Sequence, residues 1–477
     1  MSVGAALQAA GRGGRASGMA GSVAGGNRVW SAKRARSFLA PGGFYKGAFA
    51  KCALVGGGSP TQVHGVMLVS TDVPKPIDPS FGLAEMQGLY GAFSFSEKLL
   101  QKLWWRGDFD RAAATTLDGQ PVRIAHPGKW NLLGGPDFTS ARLRFGGEGA
   151  PDLVGDVELH LRSGDWDTHG HARDPAYDRV LLHVVLFPPE PGRVTRGAGG
   201  RVIPVLVLLP LLHRALEEFA TDEAVESLAD RPLARLPQEL GPLSPAALVD
   251  LLQRHARTRW QQKVHFADVR LRRLGWEAAL HHAALEILGF RFNRGAMLRI
   301  AGQCPLPAWC AGQVDPAEVF RSEQTSWSLQ GVRPANHPRR RLGQYATWVQ
   351  AVPDWPARVL ALGASRLGIG LTESTRTARR ASGLSAVRAR VAREICADAI
   401  GGTRLDNLVC DGLLPLLAAQ TANDFYGCWY HWFTGDLPPV VIGGLRQLGF
   451  FDGRDQPACH GAAQGLLGWL LEREPGP

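Results

Sequence analysis

One stretch of the chain concentrates the side chains able to do chemistry. Gly134-Gly135-Pro136-Asp137-Phe138 is followed by Gly155-Asp156-Val157-Glu158-Leu159-His160, then by Asp165-Trp166-Asp167-Thr168-His169-Gly170-His171 and Leu181-Leu182-His183-Val184-Val185. Residues 153–161 alternate strongly, which predicts a β-strand. Successive strand side chains point to opposite faces, so Asp156, Glu158 and His160 share one face while Val157, Leu159 and Leu161 share the other. Three ionisable groups on one face of a central strand are costly to bury unless they pair or hold a cation. Asp137 would sit beside Glu158 if the strands flanking the Gly146–Pro151 turn pair with each other. Two converging carboxylates suit Mg²⁺ or Mn²⁺, which prefer hard oxygen ligands. Such an ion polarises a phosphoryl oxygen and lowers the pKa of a bound water.

The neighbouring histidines raise a second chemistry. His160, His169, His171 and His183 offer enough nitrogens for zinc, with Asp165 and Asp167 alongside. Against that, no His-x-x-x-His helical spacing occurs, and His183 lies in an apolar run where a hydrogen-bonded core histidine is commoner. Asp156, Asp165, His169, His171 and His183 are therefore expected around the magnesium ligands or against a phosphate. Each candidate also has a plain structural reading. Glu158 and His160 could form an ordinary exposed strand face, and Asp137 could cap a turn. Glu97 stands where a helix dipole favours an acid.

The elements that position these residues are legible in outline. Ser96 is a suitable N-cap, and apolar residues at 99, 100, 103 and 104 predict a helix carrying Glu97 in its first turn. Strands follow over 121–125, 139–145, 153–161, 179–187 and 202–208, the fourth apolar enough to be buried on both faces. A short helix is expected within 165–178. A Pro-rich linker around 231–245 leads to helical periodicity over 263–273, 276–288, 341–351, 384–399 and 405–419, with another helix opened by Ser244-Pro245. The expected organisation is an extension over 1–85, an α/β domain over 88–215 and an α-helical domain over 240–477.

Bulk properties set bounds. The 477 residues suggest two or three domains, and 45 % hydrophobic with 20 % charged residues fits a soluble globular protein. The net charge of +10 is misleading, because eight Lys or Arg and no acid lie in residues 1–71, leaving +2 for the rest. That Gly-, Ala- and Arg-rich segment reads as a disordered extension, with a transit peptide, a basic tail or translated upstream sequence as alternatives and Met67 or Met86 as alternative starts. The longest apolar segment is broken by Pro204 and Pro210, so no membrane span is predicted. Seven scattered cysteines without a Cys-x-x-Cys pair point to a reducing, cytoplasmic setting. Basic runs in the helical half nominate Arg254, Arg257, Arg259, Lys263, Arg339 and Arg340 for phosphate-backbone contact, although solvated helix faces explain such runs more often. No phosphate-binding loop and no Gly-x-Ser-x-Gly elbow is present.

Pro136-Asp137 and Glu158-Leu159-His160 resemble the PD-(D/E)XK nuclease superfamily, with His160 where that signature carries Lys. The resemblance implies an αβββαβ core with a mixed sheet, metal ligation by Asp137, Glu158 and Glu97, and a water oriented or deprotonated by His160. The wider pattern, with Tyr177, Asn336-His337-Pro338-Arg339-Arg340-Arg341-Leu342 and Gln464-Gly465-Leu466-Leu467, resembles an uncharacterised bacterial domain-of-unknown-function family, number 2851, over roughly 90–475. The expectation is a Mg²⁺- or Mn²⁺-dependent nuclease acting on DNA or RNA. The alternatives are a non-catalytic nucleic-acid or protein-binding module of the same fold, and a zinc-dependent hydrolase using the histidines.

Overall fold

The computed structural model of the protein describes residues 83–473, except 89–90, 133, 229–235, 291, 365–368, 372–373 and 452–456. The extension expected over 1–85 lies outside the described residues up to 82. Residues 83–85 of that extension already lie in a strand, because β1 (Leu83–Gly88) and β2 (Gly91–Ser96) pair as an antiparallel hairpin. The helix α1 (Glu97–Arg106) begins as its cap predicts, with Ser96 Oγ accepting from the Leu99 amide at 3.3 Å. Its apolar stripe, Leu99, Leu100, Leu103 and Trp104, is buried, and Gly107 ends it in the left-handed region at φ 64°.

The central sheet is mixed. β3 (Val122–His126), β4 (Lys129–Trp130), β5 (Phe138–Phe145) and β6 (Leu153–His160) are joined by antiparallel pairings, β3 and β4 both on β5. The chain then crosses through α2 (Asp165–Thr168) and two 3₁₀ turns to β7 (Val180–Val185), which runs parallel to β6. The second helix of the expected αβββαβ pattern is thus one four-residue turn, too short to cover a sheet face. β8 (Thr195–Arg196) and β9 (Val202–Ile203) form a separate ribbon, and β10 (Val205–Val207) adds to β7 in parallel. The single strand expected over 202–208 is split at Pro204, which has no amide to donate.

One sheet face packs on α1. Val157, Leu159, Leu182, Val184 and Leu206 join Leu99, Leu103 and Trp104 in a single core. The opposite face of β6 carries Asp156, Glu158 and His160, as alternation requires, and these are buried too. Gly155 permits the close approach of β7: a Cβ there would meet Leu181 Cγ at 2.4 Å and the Arg179 carbonyl at 2.7 Å.

α3 (Leu216–Leu228) leads into the helical half and is pinned to α1 by Lys102 Nζ–Glu223 Oε2 at 2.5 Å and Arg106 Nη2–Glu226 Oε2 at 3.2 Å. The expected linker holds α4 (Leu236–Leu240), whose end leucines are buried; residues 231–235 lie outside the described residues. α5 (Pro245–Leu274) and α6 (Trp276–Leu288) follow, and the chain stays helical to a last helix, His460–Arg473. A second core gathers Trp309, Trp348, Trp355, Trp429 and Trp432. The helix expected over 384–399 unwinds into a π turn at Val391–Ile395 and stops at Ala397 and Asp398, both at positive φ. A second π turn occupies Leu408–Leu413. Among the described residues no helix is long and apolar enough to cross a membrane, and the six described cysteines are free.

Candidate metal centre

The antiparallel pairing of β5 and β6 places Asp137 against Glu158. The Asp137 amide donates to Glu158 Oε2 at 2.9 Å, and Asp137 Oδ2 accepts from the Leu159 amide at 3.0 Å. Asp137 Oδ1 accepts from Gln101 Nε2 at 2.6 Å, so α1 holds this carboxylate from the other side. Glu97, one helical turn before Gln101, reaches the end of β6, where the Leu161 amide donates to it.

Glu158 Oε1 faces the histidines. It lies 3.4 Å from His171 Nε2 and 3.6 Å from His160 Nε2, and those two nitrogens are 3.3 Å apart. His169 Nδ1 is 3.1 Å from the same His160 Nε2. The donor atoms of the three histidines all fall within 4.8 Å of one another. A ring nitrogen carries one proton or one lone pair, so hydrogen bonding alone cannot satisfy His160 Nε2 against three close neighbours. Four donors around one ion at metal–nitrogen bonds of about 2.0–2.1 Å would be separated by about 3.3–3.4 Å along the edges of a tetrahedron. Four of the six separations among these donors, at 3.1–3.6 Å, are of that size, all of them edges at His160 or His171.

Behind His160 runs a buried relay. His160 Nδ1 is 2.9 Å from His183 Nε2, and His183 Nδ1 is 2.9 Å from Thr195 Oγ1. With the tautomer in which His160 donates to His183 and His183 to Thr195, the His160 Nε2 lone pair faces the cluster. This is the outer hydrogen bonding that fixes the tautomer of a ligating histidine. Trp166, fully buried with its Nε1 on the Arg196 carbonyl at 2.9 Å, packs against His160, His171 and His183, while Tyr177 stacks on His171 at 3.8 Å.

The electrostatics are those of like groups crowded together. Burial, then the neighbouring Asp137 and Glu97 charges, push the Glu158 carboxyl far up. Burial likewise raises Asp137, against the Leu159 amide and Gln101. Glu97 is pushed up to about 7 by burial and by Asp137 and Asp165. Burial and the other rings hold His160 and His183 low, and His171 is lowered to about 4 by burial and His169. These imidazoles are neutral, the form that ligates a metal. Among the described residues no Lys or Arg forms an ion pair with Glu97, Asp137 or Glu158.

The structure therefore brings together Glu97, Asp137, Glu158, His160, His169, His171 and His183. It separates others. Asp156 accepts from the Ser140 amide at 2.9 Å, closing the bulge where β5 slips register on β6 and Ser140 takes φ 56°. Its side chain therefore serves the backbone and does not surround a metal. Asp165 Oδ2 caps the Arg162 amide at 2.9 Å, although its charge still bears on Glu97. Of the basic residues, Arg254, Arg257, Arg339 and Arg340 are exposed, and Arg257 lies over the Tyr426 ring. Arg259 and Lys263 turn inward instead, to Gln464 and Asp411, so neither extends an exposed phosphate-binding face. Gln101 and Thr195 went unnoticed in the sequence. Gln101 was findable, four residues after Glu97 on one helix face; Thr195 reaches His183 only through the β8–β9 ribbon.

Residues 97–319 match the model of a family described as Protein of unknown function (DUF2851). That stretch contains every residue of the cluster and agrees with the family resemblance read in the sequence; the motifs at 336–342 and 464–467 lie beyond it. No curated protein and no solved structure matches the chain.

Proposed function

We propose that the protein is a metal-dependent hydrolase of phosphodiester bonds whose ion is held by Glu158, His160, His169 and His171. The observation that carries this reading is the convergence of the three imidazole donors within 4.8 Å of one another, with Glu158 Oε1 3.4–3.6 Å from two of them. Imidazole-rich sites suit zinc and similar divalent transition metals better than magnesium. On this reading His160 replaces the Lys of the nuclease signature because it is a ligand. Bound there, the ion would supply an acidified water and a Lewis acid for the phosphoryl oxygen. Glu97, with a carboxyl near 7, is poised to take and return a proton, and Asp137, braced by Gln101 and the Leu159 amide, orients Glu158. The phosphodiester substrate rests on the resemblance of Asp137 and Glu158-Leu159-His160 to nucleases, and the exposed Arg254, Arg257, Arg339 and Arg340 would favour a polyanion.

A second reading keeps Mg²⁺ or Mn²⁺ on Glu97, Asp137 and Glu158, and the mutual raising of these acids favours it. The His171→Ala variant separates the two. With zinc at the histidines, the purified protein retains about one zinc per chain by elemental analysis, and H171A loses both the metal and cleavage of single-stranded DNA or RNA. If H171A keeps Mg²⁺-dependent cleavage while Asp137→Ala abolishes it, the magnesium reading replaces the first. A wild-type protein that neither retains nor responds to any of these ions removes both.

A further inference from the structure

A second concentration of ionisable groups lies far along the chain from the histidines. A cleft of about 240 Å³, open to solvent on one side, is lined by α3, α5, α6, the second π turn and the last helix. Six Lys or Arg and five Asp or Glu line it, so the chain leaves one positive charge in excess. Most are matched: Lys263 Nζ meets Asp411 Oδ1 at 2.7 Å and Arg404 Nη2 meets Asp436 Oδ2 at 2.6 Å. Glu218 takes only the Ala215 amide among the described residues, and Arg259 is the cation without a carboxylate partner. Its Nε bonds only the neutral Gln464 Oε1, at 2.7 Å, and no carboxylate ion-pairs with it among the described residues.

His460 supplies an independent sign of a ligand. It lines the cavity, is 1 % exposed, and neither of its ring nitrogens has a hydrogen-bond partner among the described residues. The Arg404 Nε, also buried on this wall, has none either. Leaving a buried polar group unmatched is costly, so such groups normally have a partner of some kind. Against five carboxylates, Asp411 beside His460 among them, the lining has a surplus of one positive charge and of unmatched N–H groups; what complements that surplus is rich in acceptors and carries negative charge. Asp411, against Lys263, stands in the π turn Leu408–Leu413, a distortion frequent at functional sites.

We propose that this cavity is a binding site for a small oxyanion of the phosphate class, received by Arg259, Arg404 and His460. The site is independent of the metal reading at β6, and the test keeps them apart. Full-length protein is titrated calorimetrically with inorganic phosphate, and its thermal unfolding is followed in phosphate and in sodium chloride of equal ionic strength. The expected result is saturable binding of phosphate and a rise in Tm that chloride does not give. Arg259→Gln and His460→Gln should each weaken that binding about tenfold or more, and His171→Ala should leave it unchanged. Phosphate binding no tighter than chloride in the wild type overturns the proposal and leaves a water-filled cavity. So does loss of binding in H171A alone, which would put the anion at β6. If the Arg259 or His460 variants do not fold, the wild-type comparison and H171A still decide.

Discussion

Glu286 and Glu158 are both buried carboxylates, and their surroundings are opposite in sign. Glu286 lies between Arg270 Nη2 at 2.6 Å and Arg214 Nε at 3.4 Å; burial pushes its carboxyl up, yet the arginines outweigh burial and hold it low. Asp222 is held down in the same way by Arg294 and Arg214. Glu158 has carboxylates and neutral imidazoles for neighbours, and everything but the Asp137 amide drives it up. A cluster that neutralises itself is architecture. A cluster that gathers acids and lone pairs without a cationic side chain has the composition of a site for a positive ion.

The largest effect should come from making one substitution in both places. Glu286→Gln leaves Arg214 and Arg270 buried against a neutral amide and should lower stability by about 3–5 kcal/mol. Glu158→Gln in chelator-treated protein should instead raise stability at pH 8: the folded wild type must hold this carboxyl, pushed up to about 9, protonated there, and the amide is neutral without that cost. Urea unfolding of the two variants reads both, and equal losses would erase the contrast.

The sequence revealed one member of this comparison and hid the other. The alternation at 153–161 put Glu158 and His160 on one face, and Pro136-Asp137 one strand earlier made their meeting a matter of pairing. That His169 and His171 fold back onto His160 depended on a crossover too irregular to carry a period. The second half was less legible. In the helix Arg294–Gln303 every residue from Gly295 to Ala301 is buried, so no polar face marks its period. Arg259 and Lys263 looked like a basic surface because their partners, Gln464 and Asp411, lie 205 and 148 residues away.

A smaller effect sharpens the reading of the β6 cluster. Thr195→Val keeps shape but removes the acceptor at the end of the relay from His160 through His183. Metal affinity, measured by chelator competition, should fall about 10–100-fold with the fold unchanged. An unchanged affinity would mean that the relay orients nothing.

The smallest effect is in pH. Glu97 titrates near 7 in the folded protein against an ordinary 4.5, so in ion-free protein its contribution is complete below about pH 4.5 and is lost as pH rises through about 7. Glu97→Gln carries no such loss. The stability difference should therefore move in favour of the variant between pH 5 and 8, and bound metal should flatten that trend. A difference independent of pH in ion-free protein would place Glu97 outside the cluster's field.

The four donors at β6 come from residues 158–171, whereas the groups lining the ionic cavity run from 214 to 464. Bringing two points of a chain together costs entropy that grows with the logarithm of the intervening length, and that difference in span amounts to about 2–3 kcal/mol. The donors can thus assemble in a nascent sheet before the last helix has been added. If the proposed ion is held at β6, its capture belongs to the early organisation of this chain, while the cavity exists only once the whole sequence has closed on itself.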